Sequence, residues 1–276
     1  MYQDFTADYI VRYAQQHEDL QQYLPYIAKT SPKIAQMRVE GTSKIYSECA
    51  GVFTMGEYLA KDLVENSGID PRKVHAVGGG CNIDISRIDG SKKQGNKFLF
   101  NGKDFIRKNG PLVVRAFLAL REKYHDIELH ICGPEKAPDE IKELSLSDGI
   151  VFRGLLKYDE LVDEYNECDY FVLPSLVEGY GFVFGEALIF GLPCIGRDAF
   201  AMPDFIEDGF NGYLCHELSN ANELYNCMEK CLLNADTLMK EVKNQRNNYL
   251  EKYSWDGVAK RMLDIMRHDG YNLSLK

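Results

Sequence analysis

The sequence predicts an α/β fold in which helices cover both faces of a parallel sheet. Short apolar segments alternate with helical segments from about residue 96 onward. This alternation is typical of βα units joined in a parallel sheet. With 276 residues, the chain is also long enough for about two domains with cores of their own.

The first part of the chain, residues 1–82, predicts a partial N-terminal α/β domain. Its elements are expected in the order helix, helix, strand, helix and strand, at residues 5–24, 33–49, 49–54, 57–66 and 73–77. Pro25 and Pro32 bracket the break between the first two helices, and three glycines follow the last strand. The polar segment 83–95 (IDISRIDGSKKQG) predicts a linker.

Residues 96–276 predict the second domain, which carries the parallel sheet. Its strands are expected at 97–102, 127–133, 149–154, 169–175, 193–197 and 211–215. Its helices are expected at 110–124, 157–167 and 181–190, with further helices filling 220–268. The last helix is a candidate for packing back on the N-terminal part.

Composition excludes several classes of protein. The net charge is −10, which argues against a general nucleic-acid binder or a polybasic membrane anchor. The N-terminal residues lack the basic start and apolar run of a signal peptide. The eight cysteines form no Cys-x-x-Cys pair, which predicts reduced thiols, a cytoplasmic protein and no structural metal site.

A basic segment interrupts this acidic chain at residues 91–108, where six basic residues accompany one acidic residue. Lys103 follows a predicted strand and a glycine, and Lys108 precedes the next helix. Ligands of open α/β sheets lie beyond the carboxyl ends of the strands, and lysines beside a helix N-terminus suit a diphosphate. A solvated linker explains Lys92, Lys93 and Lys97, whereas for Lys103 and Lys108 position alone leaves both interpretations open.

Two glutamates, Glu178 and Glu186, are separated by seven residues around a glycine-containing loop. Glu186 lies in an apolar run, where a carboxylate requires a specific donor, either the backbone or a ligand hydroxyl. Glu178 lies at the ligand-binding edge of the sheet, just before a predicted helix N-terminus. The alternative interpretation treats Glu178 as a charge that stabilises the helix N-terminus and Glu186 as a partly exposed helix residue.

The same segment also resembles a loose dinucleotide-binding fingerprint, formed by Gly179, Gly181 and Gly185, with Asp198 downstream as the ribose acceptor. Five residues separate the strand from the first glycine, whereas the true fingerprint turns at once. The unit also lies late in the domain. An NAD enzyme is therefore disfavoured.

Several motifs in order resemble those of the retaining glycosyltransferases of family 4, the group 1 glycosyltransferases of the two-domain GT-B fold. The matching segments are VHAVGGGCNID, NGKDFIRKNGPLVVRAF, IELHICGPE, IVFRGLL, VLPSLVEGYGFVFGEALIFGLPCI, AMPDFIEDGFNGYL and YSWDGVAKRM. Together they run from about residue 51 to the C-terminus. The resemblance implies that the second domain is the Rossmann-like, donor-binding half of that fold.

The resemblance also assigns roles to residues. Lys103 and Lys108 are expected to bind the donor diphosphate, and Glu178 to contact the donor sugar; these three are the expected catalytic residues. Glu186 is expected to hold the ribose hydroxyls. The remaining expected donor-binding positions lie at the helix N-terminus, at a turn in the crevice and on the strand that meets the base: Gly181, Phe182, Val183, Gly133 and Arg153.

The sequence departs from the family pattern at several points. Lys103 stands where an arginine is more frequent, Asn109 where a glycine is usual, and Asp204 where a glutamate is common. The segment before residue 95 is too short for a full first domain, and neither the glycine-rich loop nor the active-site histidine of that domain is evident. We therefore expect a truncated N-terminal domain.

The resemblance implies a metal-independent transferase that moves a sugar from a nucleotide diphosphate sugar, as substrate rather than cofactor, to a saccharide or lipid-linked acceptor. Polysaccharide or glycoconjugate biosynthesis is the implied process. Peripheral contact with the inner face of the membrane and a homodimer through the truncated part are further expectations. The alternatives are a catalytically incomplete nucleotide-sugar-binding fragment and another GT-B-type enzyme, such as a sugar-nucleotide epimerase or a phosphorylase.

Overall fold

The computed structural model of the chain describes residues 1–4, 6–17, 20, 31–82, 84–89, 95–142, 148–217 and 220–270. The strands are β1 (Tyr2–Gln3), β2 (Val52–Thr54), β3 (Val74–Ala76), β4 (Lys97–Asn101), β5 (Glu128–Cys132), β6 (Ile150–Gly154), β7 (Tyr170–Val172), β8 (Cys194–Arg197) and β9 (Gly212–Cys215). The helices are α1 (Ala7–Gln16), α2 (Pro32–Glu48), α3 (Glu57–Glu65), α4 (Gly110–Arg121), α5 (Tyr158–Glu167), α6 (Phe182–Phe190), α7 (Met202–Phe205), α8 (Ala221–Leu233), α9 (Ala235–Asn244), α10 (Arg246–Lys252) and α11 (Trp255–His268).

The chain divides into two compact units. The first comprises Met1–Gly80 together with the segment that starts at Glu251, and the second comprises Cys81–Leu250. The described part of the segment predicted as a linker belongs to the second unit, where Arg87 pairs with Asp159 and Asp163 of α5. Lys92 and Lys93 lie outside the described residues.

The second unit is built on a six-stranded sheet with the order β6-β5-β4-β7-β8-β9, and all of its strand pairs are parallel. This order is the doubly wound order 3-2-1-4-5-6 of Rossmann folds. The predicted α/β fold with a parallel, helix-flanked sheet is therefore confirmed. The strand order changes direction between β4 and β7, so a crevice opens beside the carboxyl ends of these two strands.

Helix α6 illustrates how local sequence positions this crevice. It is apolar on every side except at Glu186, and such a helix is stable only when it is buried. Glycines in the left-handed conformation begin and end it, with φ of 84° at Gly181 and 88° at Gly191. The helix N-terminus therefore lies at a fixed point after β7, at the crevice.

The first unit contains a three-stranded parallel sheet in the order β1-β2-β3. Its core is a cluster of buried residues from α2, β2, α3 and the turn that follows: Tyr46, Val52, Leu59, Leu63 and Ile69. Arg261 of α11 donates a hydrogen bond to the carbonyl oxygen of Val77, with an Nε–O distance of 2.8 Å. Helix α2 leaves Ile34, Met37 and Ile45 exposed to solvent.

Some predicted boundaries were wrong. The helix predicted over 5–24 ends at Gln16, because the backbone of His17 leaves the helical conformation, with φ of −123° and ψ of 84°. Residues 5, 18–19 and 21–24 lie outside the described residues. The strand predicted over 169–175 is limited to Tyr170–Val172, since Pro174 has no N–H for a ladder bond. The short elements β1 and α7 were not predicted. Within the described ranges, none of the helices is long and apolar enough to cross a membrane.

Candidate functional site

A cleft of about 590 Å³ opens where β4 and β7 end, at the point where the strand order reverses. Its volume falls in the ~300–1,000 Å³ range of small-molecule sites. It is lined by residues of the β4–α4 segment and by the first turn of α6: Asn101, Gly102, Lys103, Asp104, Arg107, Lys108 and Val183. The lining carries three basic side chains and one acidic side chain, which favours an anionic ligand.

Lys108 and Glu178 form an ion pair at the cleft, although they are 70 residues apart in sequence. Their side chains are 13% and 11% exposed, so both charges are largely removed from water. The hydroxyl of Ser175 donates a second hydrogen bond to Glu178 Oε2 at 3.1 Å. Burial lowers the pKa of Lys108, and the neighbouring Glu178 carboxylate opposes this effect only in part.

Lys103 lines the same cleft and is exposed, with no ion pair to any other residue that the structure describes. Its backbone is held by Gly133, the residue that follows β5. Gly133 has a φ of +127°, and a Cβ atom there would lie 2.5 Å from the carbonyl oxygen of Gly102. The Gly133 turn therefore supports the loop that presents Lys103 to the cleft.

The N-terminus of α6 faces the same region. Gly181, the N-cap residue, offers no side chain to the helix amides. Gly181 also lies close to Glu178: a Cβ atom at this position would be only 3.2 Å from Glu178 Cγ. Because the first N–H groups of a helix attract anions, the amides of Phe182 and Val183 add to the positive potential of the cleft.

Glu186 is the fifth residue of α6, about one turn after the helix begins. The hydroxyl of the buried Tyr165 donates a hydrogen bond to Glu186 Oε2 at 3.0 Å. Burial raises the pKa of Glu186, and the Tyr165 hydrogen bond partly offsets this. The carboxylate thus has a specific donor, but this donor is a tyrosine side chain and not the backbone or the ligand hydroxyl expected from the sequence.

Arg153 does not line the cleft. It pairs with Glu164 of α5, a fully buried carboxylate that also bonds to His130 Nδ1 at 2.6 Å. Burial lowers the pKa of His130, but hydrogen bonds to Glu164 and Glu128 outweigh this and raise it above its ordinary value. His130, Glu164 and Cys168 are close enough to hold a metal ion, although a cation there would compete with Arg153 for Glu164.

Two arginines that were not predicted as site residues organise the loop after β7. Arg107 donates to the carbonyl oxygen of Val177 at 2.8 Å. The buried Arg197 donates to the carbonyl oxygens of Ser175 and Leu176, both at 3.0 Å. Arg107 belongs to the basic segment and Arg197 ends β8, so their positions at the carboxyl edge of the sheet could have indicated them.

Comparison with known proteins gives relatives along most of the chain. An uncharacterized glycosyltransferase of Methanocaldococcus jannaschii is 24% identical over 239 residues, which cover 80% of this chain and 60% of the relative. A D-inositol 3-phosphate glycosyltransferase of Streptomyces bingchenggensis is 27% identical over 255 residues, covering 83% of this chain and 55% of the relative. The chain thus spans somewhat more than half the length of these relatives.

Among solved structures, HepE of Anabaena in complex with UDP superimposes with a TM-score of 0.71 at 14% identity. The match covers 86% of this chain and 70% of HepE. At this identity the likeness shows the fold alone. The model of the family "Glycosyl transferases group 1" matches residues 82–249, which is more than half of the chain and includes the whole cleft. On this evidence, the chain belongs to the group 1 glycosyl transferases.

Proposed function

We propose that the cleft binds a nucleoside diphosphate sugar and that the protein transfers the sugar to an acceptor hydroxyl. The observation that carries the proposal is the buried Lys108–Glu178 pair beside Lys103 and the α6 N-terminus, at the switch point of a Rossmann sheet. This arrangement brings together cations and helix amides, which suit a diphosphate and so support the proposal. It also places a carboxylate beside them that could accept hydrogen bonds from sugar hydroxyls.

The chemistry follows from charge. The bond from the sugar to the diphosphate breaks as negative charge grows on the leaving diphosphate. Lys103, Lys108 and the α6 amides would stabilise that charge in a preorganised site. Lys108 would then bridge Glu178 and a phosphate oxygen, because an ammonium has three donors. Glu186 would accept the ribose hydroxyls while Tyr165 holds its other hydrogen bond.

The finer features belong to the same proposal. Retention of the anomeric configuration and a family 4 assignment rest on the motif resemblance, and UDP as the nucleotide is suggested by the ligand of HepE. A saccharide or lipid-linked acceptor, peripheral contact with the inner face of the membrane and a homodimer through the first unit are proposed likewise. The exposed Ile34, Met37 and Ile45 of α2 support the homodimer.

A direct test compares binding with turnover. The purified chain is titrated with UDP, GDP and uridine by calorimetry, and incubated with UDP-sugars and GDP-sugars while free nucleoside diphosphate is measured. We expect a nucleoside diphosphate to bind more tightly than the nucleoside and its sugar ester to be consumed. Binding without any transfer or hydrolysis would favour the nucleotide-sugar-binding fragment, and absence of binding would refute the proposal.

The two glutamates should differ in the ligands that they affect. Glu186→Gln should weaken the binding of free nucleoside diphosphate and of its sugar ester by similar amounts, about 1–2 kcal/mol, because the ribose is common to both ligands. Glu178→Gln should leave the affinity for free nucleoside diphosphate nearly unchanged and weaken the binding of the sugar ester. Calorimetry of both variants with both ligands gives the four values.

Glu164→Gln is the matched control, since Glu164 is a buried carboxylate of the same unit that does not line the cleft. This substitution should change the free energy of unfolding. It should not make the affinity for free nucleoside diphosphate differ from the affinity for its sugar ester. The assigned roles are wrong if Glu178→Gln weakens the binding of both ligands equally, or if Glu186→Gln weakens the binding of neither.

Tyr165→Phe should change the pH dependence of nucleotide binding. The ionised Glu186 accepts the ribose hydroxyls, so affinity falls as the pH drops through the pKa of Glu186. Loss of the Tyr165 hydroxyl removes the interaction that opposes burial and raises this pKa further. The affinity should therefore begin to fall at a higher pH than in the unmodified protein.

Calorimetric titrations with nucleoside diphosphate between pH 4 and 8 would measure this shift (a range about the usual carboxylate pKa). Tyr170→Phe is the control, because Tyr170 is equally buried but its hydroxyl bonds to the carbonyl oxygen of Gly95. Superimposable pH profiles for Tyr165→Phe and the unmodified protein would show that Tyr165 does not tune Glu186.

A further inference from the structure

Two cysteines of the second unit lie in contact at the edge of the sheet, on the side of β9, two strands from β7. Cys215 ends the edge strand β9, and Cys227 lies on α8. Their Sγ atoms are 3.5 Å apart, and both residues are buried. Two thiols at this distance need to approach by a further ~1.5 Å to reach the ~2.05 Å of a disulfide.

The contact has a direction. The Cys215 thiol donates its hydrogen bond to the sulfur of Cys227. This hydrogen bond lowers the pKa of Cys227 and raises that of Cys215. Because the thiolate is the reactive form of cysteine, Cys227 is the nucleophile of the pair and Cys215 is placed to resolve it.

We propose that Cys215 and Cys227 are a redox modification site that closes to an intrachain disulfide when the protein meets a peroxide. The Cys227 thiolate attacks one peroxide oxygen, which forms a sulfenic acid and releases hydroxide. The Cys215 sulfur then displaces the sulfenic hydroxyl, which leaves as water with the Cys215 proton. Two thiols are oxidised, one peroxide is reduced, and the hydroxide is neutralised by the proton that Cys227 had lost.

The cross-link would join the last strand of the sheet to α8. Helix α8 packs against α4, whose first residue follows Lys108 by two positions. The disulfide would therefore fix the helix layer behind the basic segment of the cleft. A thiol-based reductant reverses it, so the modification can be switched in both directions.

Peptide mapping of the intact chain tests the proposal. The native protein is titrated with hydrogen peroxide until two of its eight thiols are lost, then denatured, alkylated and digested. Trypsin cleaves after Arg197 and Lys230, so Cys215 and Cys227 fall on one peptide and Cys231 on the next. We expect that the peptide 198–230 is not alkylated and that its mass is lower by two hydrogen atoms than that of the same peptide with both thiols reduced.

A second cleavage after Glu217 or Glu223 should then give two fragments that stay linked until dithiothreitol is added. Cys215→Ser and Cys227→Ser should each abolish the linked species. Cys231→Ser, one turn away on the same buried helix face, should retain it. The proposal is overturned if the two lost thiols are other cysteines, if Cys227 links to Cys231, or if the peptide gains oxygen instead of losing hydrogen.

Discussion

Replacing Lys108 with alanine is expected to lower the free energy of unfolding by about 3 kcal/mol, because it leaves the buried Glu178 carboxylate without its cation. The same change should weaken nucleoside diphosphate binding by about 1.5–3 kcal/mol, the size of a charge-assisted hydrogen bond, or roughly 10- to 150-fold. The unpaired carboxylate would also repel the diphosphate. Denaturant unfolding and calorimetry measure the two effects separately.

Two further variants separate the structural role of Lys108 from its role in binding. Lys103→Ala removes an exposed cation from the same cleft, so it should weaken binding by a similar amount without lowering stability. The double variant Lys108→Met with Glu178→Gln removes both buried charges and keeps their volume. It should recover most of the lost stability while nucleotide affinity stays low.

The opposite pattern would contradict the proposed function. If Lys108→Ala is destabilised but binds nucleoside diphosphate as tightly as the unmodified protein, Lys108 serves only to neutralise Glu178. If neither lysine affects binding, Lys103 is a solvated surface charge and Lys108 serves only to neutralise Glu178.

The parallel sheet could be predicted from sequence because each buried strand is a short apolar run between helical segments. The same pattern says nothing about elements formed by long-range pairing. Strand β1 has only two residues and exists because Tyr2 and Gln3 pair with Phe53 and Thr54 of β2. Its polar sequence carries no strand signal, so sequence analysis could not find it.

The candidate site, like the fold, could be predicted from the sequence only in part. Chain position placed Lys103, Lys108 and Glu178 at one edge of the sheet, because the carboxyl ends of parallel strands share an edge. Which side chains meet there depends on rotamers and packing, which spacing does not encode. The Lys108–Glu178 pair, the Tyr165 donor to Glu186 and the engagement of Arg153 by Glu164 became visible only in the structure.

Gly133 connects local sequence to this geometry most directly. The resemblance placed it in the crevice, and the structure gives the reason why a glycine is required. Its φ of +127° is a conformation that residues with a Cβ rarely adopt. A Cβ atom would also lie within 2.8 Å of three backbone atoms of Gly102 and Lys103, none of which can move without moving the loop.

Gly133→Ala is therefore expected to destabilise the protein by about 3 kcal/mol, from backbone strain and overpacking together. The midpoint of thermal unfolding should fall by roughly 6–12 °C. Because the nearest atoms belong to the Gly102–Lys103 backbone, the relief of the clash should displace Lys103. Nucleoside diphosphate affinity should fall with it, while uridine binding changes less.

Gly209→Ala isolates the part of this effect that comes from backbone conformation. Gly209 also has a positive φ, of +79°, but a Cβ atom there would have no neighbour within 4 Å. Its substitution should cost only about 1–2 kcal/mol and leave nucleotide affinity unchanged. If Gly133→Ala lowers the free energy of unfolding no more than Gly209→Ala does, then the Gly102–Lys103 backbone can move away from the added Cβ atom at little cost. The Gly133 turn would then have no part in holding Lys103 at the cleft.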